Sequence, residues 1–169
     1  MRNKNMNKSV EIRQTRKKGV GAFALRNFRK GETIFVNKRG RLVRAKDLKA
    51  ILKDEGDHLN EIDRTTWEIM NPPGRFVNHS CDPNAISKES ADRRVPYIAL
   101  KSIRKGKEIT ADYRISAHTG NKWRCYCRSK NCKGFVISDF FSLSAARQRK
   151  YFPYTSKFIR DEYKKRYRK

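Results

Sequence analysis

Short stretches in which apolar and polar residues alternate recur along this chain. Such alternation predicts half-buried strands, and it occurs in five places: SVEIRQT (9–15), GAFALRNF (21–28), ETIFVN (32–37), VPYIALKSI (95–103) and KEITADY (107–113). The segments between them are rich in glycine, proline and charge, which is typical of turns: KGVG (18–21), RKG (29–31), NPPG (71–74) and RKGK (104–107). The pattern predicts a domain built mainly of short strands.

Three other segments have the periodicity of a helix. AKDLKAILKDEG (45–56) places its larger apolar residues on one helical face, and its final Gly56 is a typical stop. The tail predicts two more helices, SLSAARQRKYF (142–152) and SKFIRDEYKKRYRK (156–169). The apolar stripe of the last helix consists of Phe158, Ile159, Tyr163 and Tyr167. We therefore expect a mostly-β fold with a small helical insert and a helical C-terminal tail.

The composition adds a strong positive charge to this picture. The 169 residues, about the length of one domain, include 42 lysines and arginines against 17 acidic residues, a net charge of +25. Residues 1–18 hold seven basic residues and one acidic residue, and residues 147–169 hold ten and two. This charge favours contact of the basic ends with nucleic acid or nucleoprotein. The alternative is a solvated surface that only maintains solubility.

The sequence contains no signal for a membrane or for secretion. No apolar run approaches the roughly 18 residues of a membrane span, and the N-terminus lacks the apolar region of a secretory signal. We expect an intracellular monomer without a membrane segment, cytoplasmic in a prokaryote and nuclear or chromatin-associated in a eukaryote.

The four cysteines predict a metal site. They are few for a secreted disulfide scaffold, and a bridge between the near neighbours Cys125 and Cys127 would be strained. CYCRSKNC (125–132) has C-x-C-x4-C spacing, and three clustered thiols need a fourth ligand for tetrahedral coordination. The remaining cysteine is Cys81, so the count predicts one structural zinc ion bound by Cys81, Cys125, Cys127 and Cys132. The alternative is four unrelated free thiols.

Three further motifs carry candidate chemistry. GVG (19–21) is by itself most often a turn, although it could let the backbone approach a cofactor. RFVNHSCDPN (75–84) places an Asn-His-Ser-Cys run after an apolar pair and then turns, and GKEITADY (106–113) ends a strand with Asp-Tyr. Alone, His79 would more often be structural and Tyr113 a packing residue.

In this order, KGVGAFALRNFRKGETI, RFVNHSCDPN, GKEITADY and CYCRSKNCKGF resemble the SET-domain protein lysine methyltransferases that carry a post-SET zinc motif. The resemblance covers roughly residues 9–135. The two middle motifs are specific together, and the cysteine spacing is an independent third match. The sequence after Cys132 resembles the extension of small single-domain members.

The resemblance implies a β-clip fold of short curved sheets. In this fold the Asn-His-Ser-Cys segment threads beneath the loop after the Asp-Tyr strand and forms a pseudoknot. The implied parts of the chain are a basic N-terminal tail (1–8), a SET domain (9–118) with an insert at about 45–72, a post-SET zinc motif (119–135) and a basic helical extension (136–169).

The resemblance also implies a function. The chain would transfer methyl groups from S-adenosylmethionine to a lysine of a protein substrate. Chromatin-associated and ribosome-associated proteins are the two candidate classes of substrate. The residues that match the cofactor-binding positions are Gly19, Val20, Gly21, Arg75, Phe76, Asn78, His79 and Phe135. Those that match the catalytic positions are Tyr113, Asn78 and His79, and those of the substrate pocket are Ala111 and Tyr113.

Two positions depart from the family pattern. Arg128 stands where many post-SET motifs have glycine, and Ala111 stands where an aromatic residue is usual. Because Ala111 has neither bulk nor a hydroxyl, we expect a pocket that admits an already methylated amine. The alternative is that Phe135 or Trp123 fills the space and restores the restriction. The competing hypothesis is a non-catalytic, zinc-stabilised basic module that binds nucleic acid, and binding of S-adenosylmethionine would distinguish the two.

Overall fold

The computed structural model describes residues 9–55, 58–88, 90 and 92–167. The N-terminal tail (1–8) and the helix stop expected at Gly56 lie outside these residues. The chain divides into two compact units, each formed by separated stretches of sequence. Unit 1 comprises Met1–Arg39, Asn71–Asp112 and Cys125–Gly134, and unit 2 comprises Gly40–Met70, Tyr113–Arg124 and Phe135–Lys169.

The described residues form many short strands and few helices. The strands are β1 (Val10–Gln14), β2 (Val20–Ala24), β3 (Thr33–Lys38), β4 (Arg41–Arg44), β5 (Leu59–Asp63), β6 (Thr66–Ile69), β7 (Asn78–His79), β8 (Ala85–Ser87), β9 (Arg94–Ala99), β10 (Thr110–Ala111), β11 (His118–Arg124) and β12 (Phe135–Asp139). The helices are α1 (Leu48–Glu55), α2 (Ala145–Tyr151) and α3 (Lys157–Tyr167). The predicted mostly-β fold with a helical tail is confirmed.

Unit 1 contains three small sheets around one hydrophobic core. β1 pairs antiparallel with β2, β9 lies between β3 and β8, and β7 pairs parallel with β10. Phe28, Ile34 and Ile109 belong to this core, each 2% exposed or less. The alternating segments form strands because one side of each can be buried in the core while the other remains in water.

The buried face of β3 departs from simple alternation. Ile34 and Phe35 are both buried, whereas Val36 is 46% exposed. The pairing with β9 shifts register between Thr33 and Phe35, and such a bulge turns the following side chains to the opposite face. The sequence therefore predicts this strand but not which of its side chains face the core.

The insert in unit 2 contains strands as well as the expected helix. Besides α1, it carries β5 and β6, which form a three-stranded antiparallel sheet with β4. Val43 and Ile69 are the buried apolar residues of this sheet among those described. Each strand has only four or five residues, several of them charged, so the sequence offers no clear alternation there.

The C-terminal part of unit 2 combines a strand pair with the two tail helices. β11 pairs antiparallel with β12, and the cysteine stretch Cys125–Gly134 connects them along the chain. On α3, Ile159 is fully buried. The Tyr163 ring lies 4.9 Å from Phe152 and 4.5 Å from Tyr167, measured between centroids. Ile159 and Tyr163 of the predicted apolar stripe therefore pack against the rest of this part, whereas Tyr167 at its end is 57% exposed.

The pseudoknot threading and the domain boundaries implied by the resemblance stay predictions. In the described part of the chain, no helix has the length and apolar character needed to cross a membrane.

Candidate functional site

The parallel pair of β7 and β10 joins the two most specific sequence motifs. Asn78 lies opposite Thr110, and His79 lies opposite Ala111. The backbone N–H of Ser80 extends the pairing by donating to the Ala111 carbonyl at 2.8 Å. The Asn-His-Ser-Cys run is therefore fixed beside the end of the GKEITADY motif.

The side chain of Asn78 connects this pair to the glycine turn. Its amide donates to the Val20 carbonyl at 3.0 Å and to Glu108 Oε1 at 2.9 Å. A Cβ on Gly21 would lie 2.7 Å from the Thr15 side chain and 3.0 Å from both Asn78 Nδ2 and Glu108 Oε1. Contacts this short are not open to a carbon atom, so position 21 requires glycine, because Thr15, Asn78 and Glu108 surround it.

Lys18 and Glu108 form an ion pair that the sequence analysis did not identify. Lys18 Nζ lies 2.5 Å from Glu108 Oε2, and both side chains are 20% exposed. Gly19 follows with a φ of +66° and open space around it. Glu108 thus contacts Lys18, which directly precedes the glycine turn, and the Asn78 amide, which binds the Val20 carbonyl within the turn. The two partners are 90 residues apart, so no local pattern could have revealed the pair.

All four cysteines meet in unit 1, as their count predicts. Their sulfur atoms lie within 4.8 Å of one another, and Cys81 Sγ lies 4.0 Å from Cys125 Sγ. A tetrahedral zinc ion with Zn–S bonds of about 2.3 Å separates its sulfurs by roughly 3.8 Å, so the donor set and its spacing suit this ion. The N–H groups of Cys81 and Gly134 donate to Cys127 Sγ and Cys132 Sγ, both at 3.4 Å, which supports the ligands from outside.

The surroundings of two of the thiols shift their pKa values in opposite directions. Burial opposes ionisation of Cys127, but hydrogen bonds from the Ser129 hydroxyl and from the N–H groups of Cys81 and Ser129 lower its pKa to about 6. Burial raises the pKa of Cys125 to about 11, and hydrogen bonds with the Cys127 and Cys132 thiols act in the same direction. The hydrogen bonds around Cys127 thus favour its thiolate, the form in which cysteine binds a cation.

His79 lies between the cysteine cluster and the end of β10. Its buried ring places Nε2 3.3 Å from Cys81 Sγ and Nδ1 3.8 Å from Asp112 Oδ1, and Asp112 is itself buried. The side chain therefore occupies a structural position, while the backbone of His79 remains in β7. The cofactor-binding and catalytic roles that the resemblance implies for His79 stay predictions.

Other predicted site residues of unit 1 lie around β7 and β10. Arg75 and Phe76 form a 3-10 turn immediately before β7, with the Arg75 guanidinium 5.8 Å from the Phe76 ring centroid. Phe76 and Ala111 pack against the hydrophobic core. Packing against the core thus fixes Phe76 and Ala111, and the turn before β7 places Arg75 beside Phe76.

Two predicted site residues belong to unit 2. Tyr113 begins a 3-10 turn directly after Asp112, and its ring centroid lies 6.3 Å from that of Trp123. Phe135 begins β12 and is 39% exposed, with Lys122 Nζ 4.2 Å from its ring centroid. The predicted site residues therefore form two groups, one in each unit.

Comparisons with known proteins agree with the motifs. Residues 19–114 match the sequence model of the SET domain. The variant-silencing SET domain-containing protein of Plasmodium falciparum is 29% identical over 146 residues, 77% of this chain. A histone-lysine N-methyltransferase, H3 lysine-36 specific, of Mus musculus is 31% identical over 140 residues, 75% of this chain. The chain spans only 6% and 5% of the length of these two relatives.

The fold also has a counterpart among solved structures. The crystal structure of the methyltransferase domain of human histone-lysine N-methyltransferase SETMAR is similar with a TM-score of 0.59 and 23% sequence identity. The match covers 77% of this chain and 58% of that one. At this identity the likeness concerns the fold.

Proposed function

This chain belongs to the SET-domain family, and from that premise we propose that it is a protein-lysine N-methyltransferase that uses S-adenosylmethionine. The observation that carries the proposal is the contact of three motifs within unit 1. Asn78 binds the Val20 carbonyl of the glycine turn, and its own strand β7 pairs with β10. The relatives named as histone-lysine methyltransferases support lysine as the target.

The glycine turn is suited to hold the cofactor. The residues proposed to bind it are Gly19, Val20, Gly21, Arg75, Phe76, Asn78, His79 and Phe135. Gly19 has a left-handed backbone and no neighbouring atom where a Cβ would stand, so a ligand can approach the main chain there without meeting a side chain. S-adenosylmethionine, when bound, supplies a methyl group on a positively charged sulfur.

The protein must then present a neutral amine to that methyl group. Lysine has an ordinary pKa of about 10.4, so its neutral form costs roughly 4–5 kcal/mol at pH 7. An apolar pocket reduces this cost because burial disfavours the ammonium. Tyr113 is proposed to orient the amine and to stabilise the transfer electrostatically as a neutral phenol. The small side chain of Ala111 leaves room for an amine that already carries methyl groups.

The zinc ion is proposed to have a structural role. Cys81, Cys125, Cys127 and Cys132 would hold it, since their sulfur atoms already lie at suitable separations. The ion would fix the stretch Cys125–Gly134 to Cys81 within unit 1, and along the chain that stretch is followed by Phe135. Zinc would therefore support the cofactor site without taking part in methyl transfer.

The proposed substrate is a chromatin protein, with a histone as the first candidate. The support is the name of the mouse relative, which specifies H3 lysine 36. A chain with a net charge of +25 repels basic histone peptides. We therefore expect the substrate to be methylated better as a nucleoprotein than as a free peptide.

Labelled S-adenosylmethionine tests the proposal. The zinc-loaded protein is incubated with it in a native nuclear lysate and with recombinant nucleosomes, and mass spectrometry identifies the labelled residues. We expect label on lysines of a few nucleic-acid-associated proteins. Calorimetric titration with S-adenosylmethionine distinguishes a methyltransferase from a non-catalytic module that binds nucleic acid. Such a module would bind no cofactor and would label no protein.

A further inference from the structure

Two loops of unit 1, residues 26–32 and 101–107, together form a surface that we call the basic platform. They contain seven lysines and arginines and a single carboxylate, that of Glu32. The cationic residues, all exposed, are Arg26, Arg29, Lys30, Lys101, Arg104, Lys105 and Lys107. None of them lies in the terminal segments from which the overall charge would predict nucleic-acid contact.

The backbone of the basic platform is firmly held. Phe28 and Ile103 exchange backbone hydrogen bonds of 2.8 and 2.9 Å, and both are 2% exposed. The N–H of Lys105 donates to Asn27 Oδ1 at 2.8 Å, and that of Gly106 donates to the Ala24 carbonyl at 2.7 Å. The cations are thus carried on a preorganised surface, so a ligand does not have to order the loops.

Most of the platform cations have no counter-ion among the residues that the structure describes. Arg26 pairs with Glu32 at 2.6 Å, and Lys101 pairs with Asp82 at 2.8 Å. Within the described ranges, Lys30, Arg104, Lys105 and Lys107 form no ion pair. Between the loops lies a cavity of about 860 Å³, to whose lining Arg29, Lys30 and Arg104 contribute. A ligand with several negative charges would complete this arrangement.

The lining of the cavity indicates which polyanion fits. Proteins that bind single strands stack bases on exposed aromatic rings, but the one aromatic residue of the lining, Phe28, is buried beneath the Arg26 guanidinium, 4.1 Å from its ring. The platform offers cations without a stacking surface, which is the chemistry of contact with a duplex backbone. We infer that the basic platform binds the phosphates of a nucleic-acid duplex, independently of methyl transfer.

The test compares two variants that lose the same charge. In the platform variant, Arg29, Lys30 and Arg104 are replaced by glutamine, and in the control variant Arg41, Lys46 and Lys49, exposed residues of unit 2, are replaced by glutamine. Fluorescence anisotropy measures binding of the full chain to a random-sequence DNA duplex of about 20 base pairs, from about 50 to 200 mM salt. Thermal melting and zinc content verify that both variants fold.

We expect the platform variant to bind about tenfold or more weakly at low salt, with a slope of log Kd against log salt that falls by about three. The control variant should stay close to wild type. An equal loss in both variants would show that net charge alone is responsible and would overturn the inference. Tighter binding of a single strand, or equally tight binding of poly-glutamate, would also overturn it, since either points to another partner.

Discussion

Two neighbouring parts of this chain, the cysteine stretch and the C-terminal stretch after β12, differ in what holds them in place. The cysteine stretch Cys125–Gly134 contains no fully buried residue, and its thiols meet Cys81 instead. The C-terminal stretch after β12 has no cysteine and buries apolar side chains. Those side chains are Phe140, Leu143, Tyr151 and Ile159. The second part is therefore held by hydrophobic packing, whereas the first lacks such packing and is proposed to depend on zinc bound by its thiols.

The magnitudes support the zinc ion proposed for the cysteine stretch. Ordering its ten residues costs on the order of 10–20 kcal/mol in backbone entropy. Burial cannot supply this in a stretch that faces water, whereas structural zinc contributes about 10–16 kcal/mol in small metal-binding peptides. We therefore expect that losing a zinc ligand disorders the cysteine stretch alone, and that a substitution in the packed C-terminal stretch leaves the cysteine stretch ordered.

Replacing Cys132 by serine should have the largest effect. The variant loses one of four thiolate ligands, so we expect zinc content to fall from one per chain to nearly none. Amide hydrogen exchange should then accelerate strongly in residues 125–134, while α2 and α3 keep their protection. The control is Tyr126→Ser, which changes an exposed residue of the same stretch and leaves all four cysteines in place. Equal loss of protection in the helices would refute the separation of the two parts.

Replacing Phe140 by alanine should have the second largest effect, and this substitution acts on the C-terminal stretch after β12. Phe140 is fully buried and its ring lies 6.2 Å from that of Tyr163, so we expect a loss of about 3–5 kcal/mol in the free energy of unfolding. Denaturant unfolding measures this, with the exposed Leu52→Ala as a control. Zinc content should remain at one per chain, and a parallel loss of zinc would count against the account.

A smaller effect concerns pH. Burial raises the pKa of Glu61 above its ordinary 4.5, although the His118 N–H donates to its carboxylate at 2.6 Å. The stabilising contribution of this group is therefore complete below pH 4.5 and is lost as the pH rises through its pKa in the folded protein. Glu61→Gln should stabilise the protein at pH 7 by less than about 1 kcal/mol, with the gain disappearing near pH 4 in thermal melts.

The cysteine stretch should respond to pH in the opposite direction. Hydrogen bonds overcome burial and lower the pKa of Cys127 from 9.0 to about 6, so its stabilising contribution is lost as the pH falls through that value. Protons also compete with zinc for all four thiolates, so zinc content should decline on acidification from pH 8, in wild type and in Glu61→Gln alike. A zinc content that depended on Glu61 would contradict the independence of the two sites.

The sequence predicted β1, β2, β3, β9 and the place of the two-residue β10, because their alternation reflects a one-sided core, but it did not predict the short strands β7 and β8. It did not predict the face of β3, since the bulge at Thr33–Phe35 has no signal in the residues themselves. The cysteine cluster was predictable from ligand count, because four thiols satisfy one zinc ion. The Lys18–Glu108 pair was not, because folding alone brings together residues so distant in the chain.

The most direct measurement of the central claim is the methyl-transfer rate of Tyr113→Phe beside wild type. Both proteins receive S-adenosylmethionine and the substrate labelled most strongly by the wild type, and mass spectrometry follows the product. Because the substitution removes one hydroxyl with little change of volume, zinc content and melting temperature should stay unchanged while the rate falls by about 10²-fold or more. A variant that transfers methyl groups as fast as wild type would contradict the account.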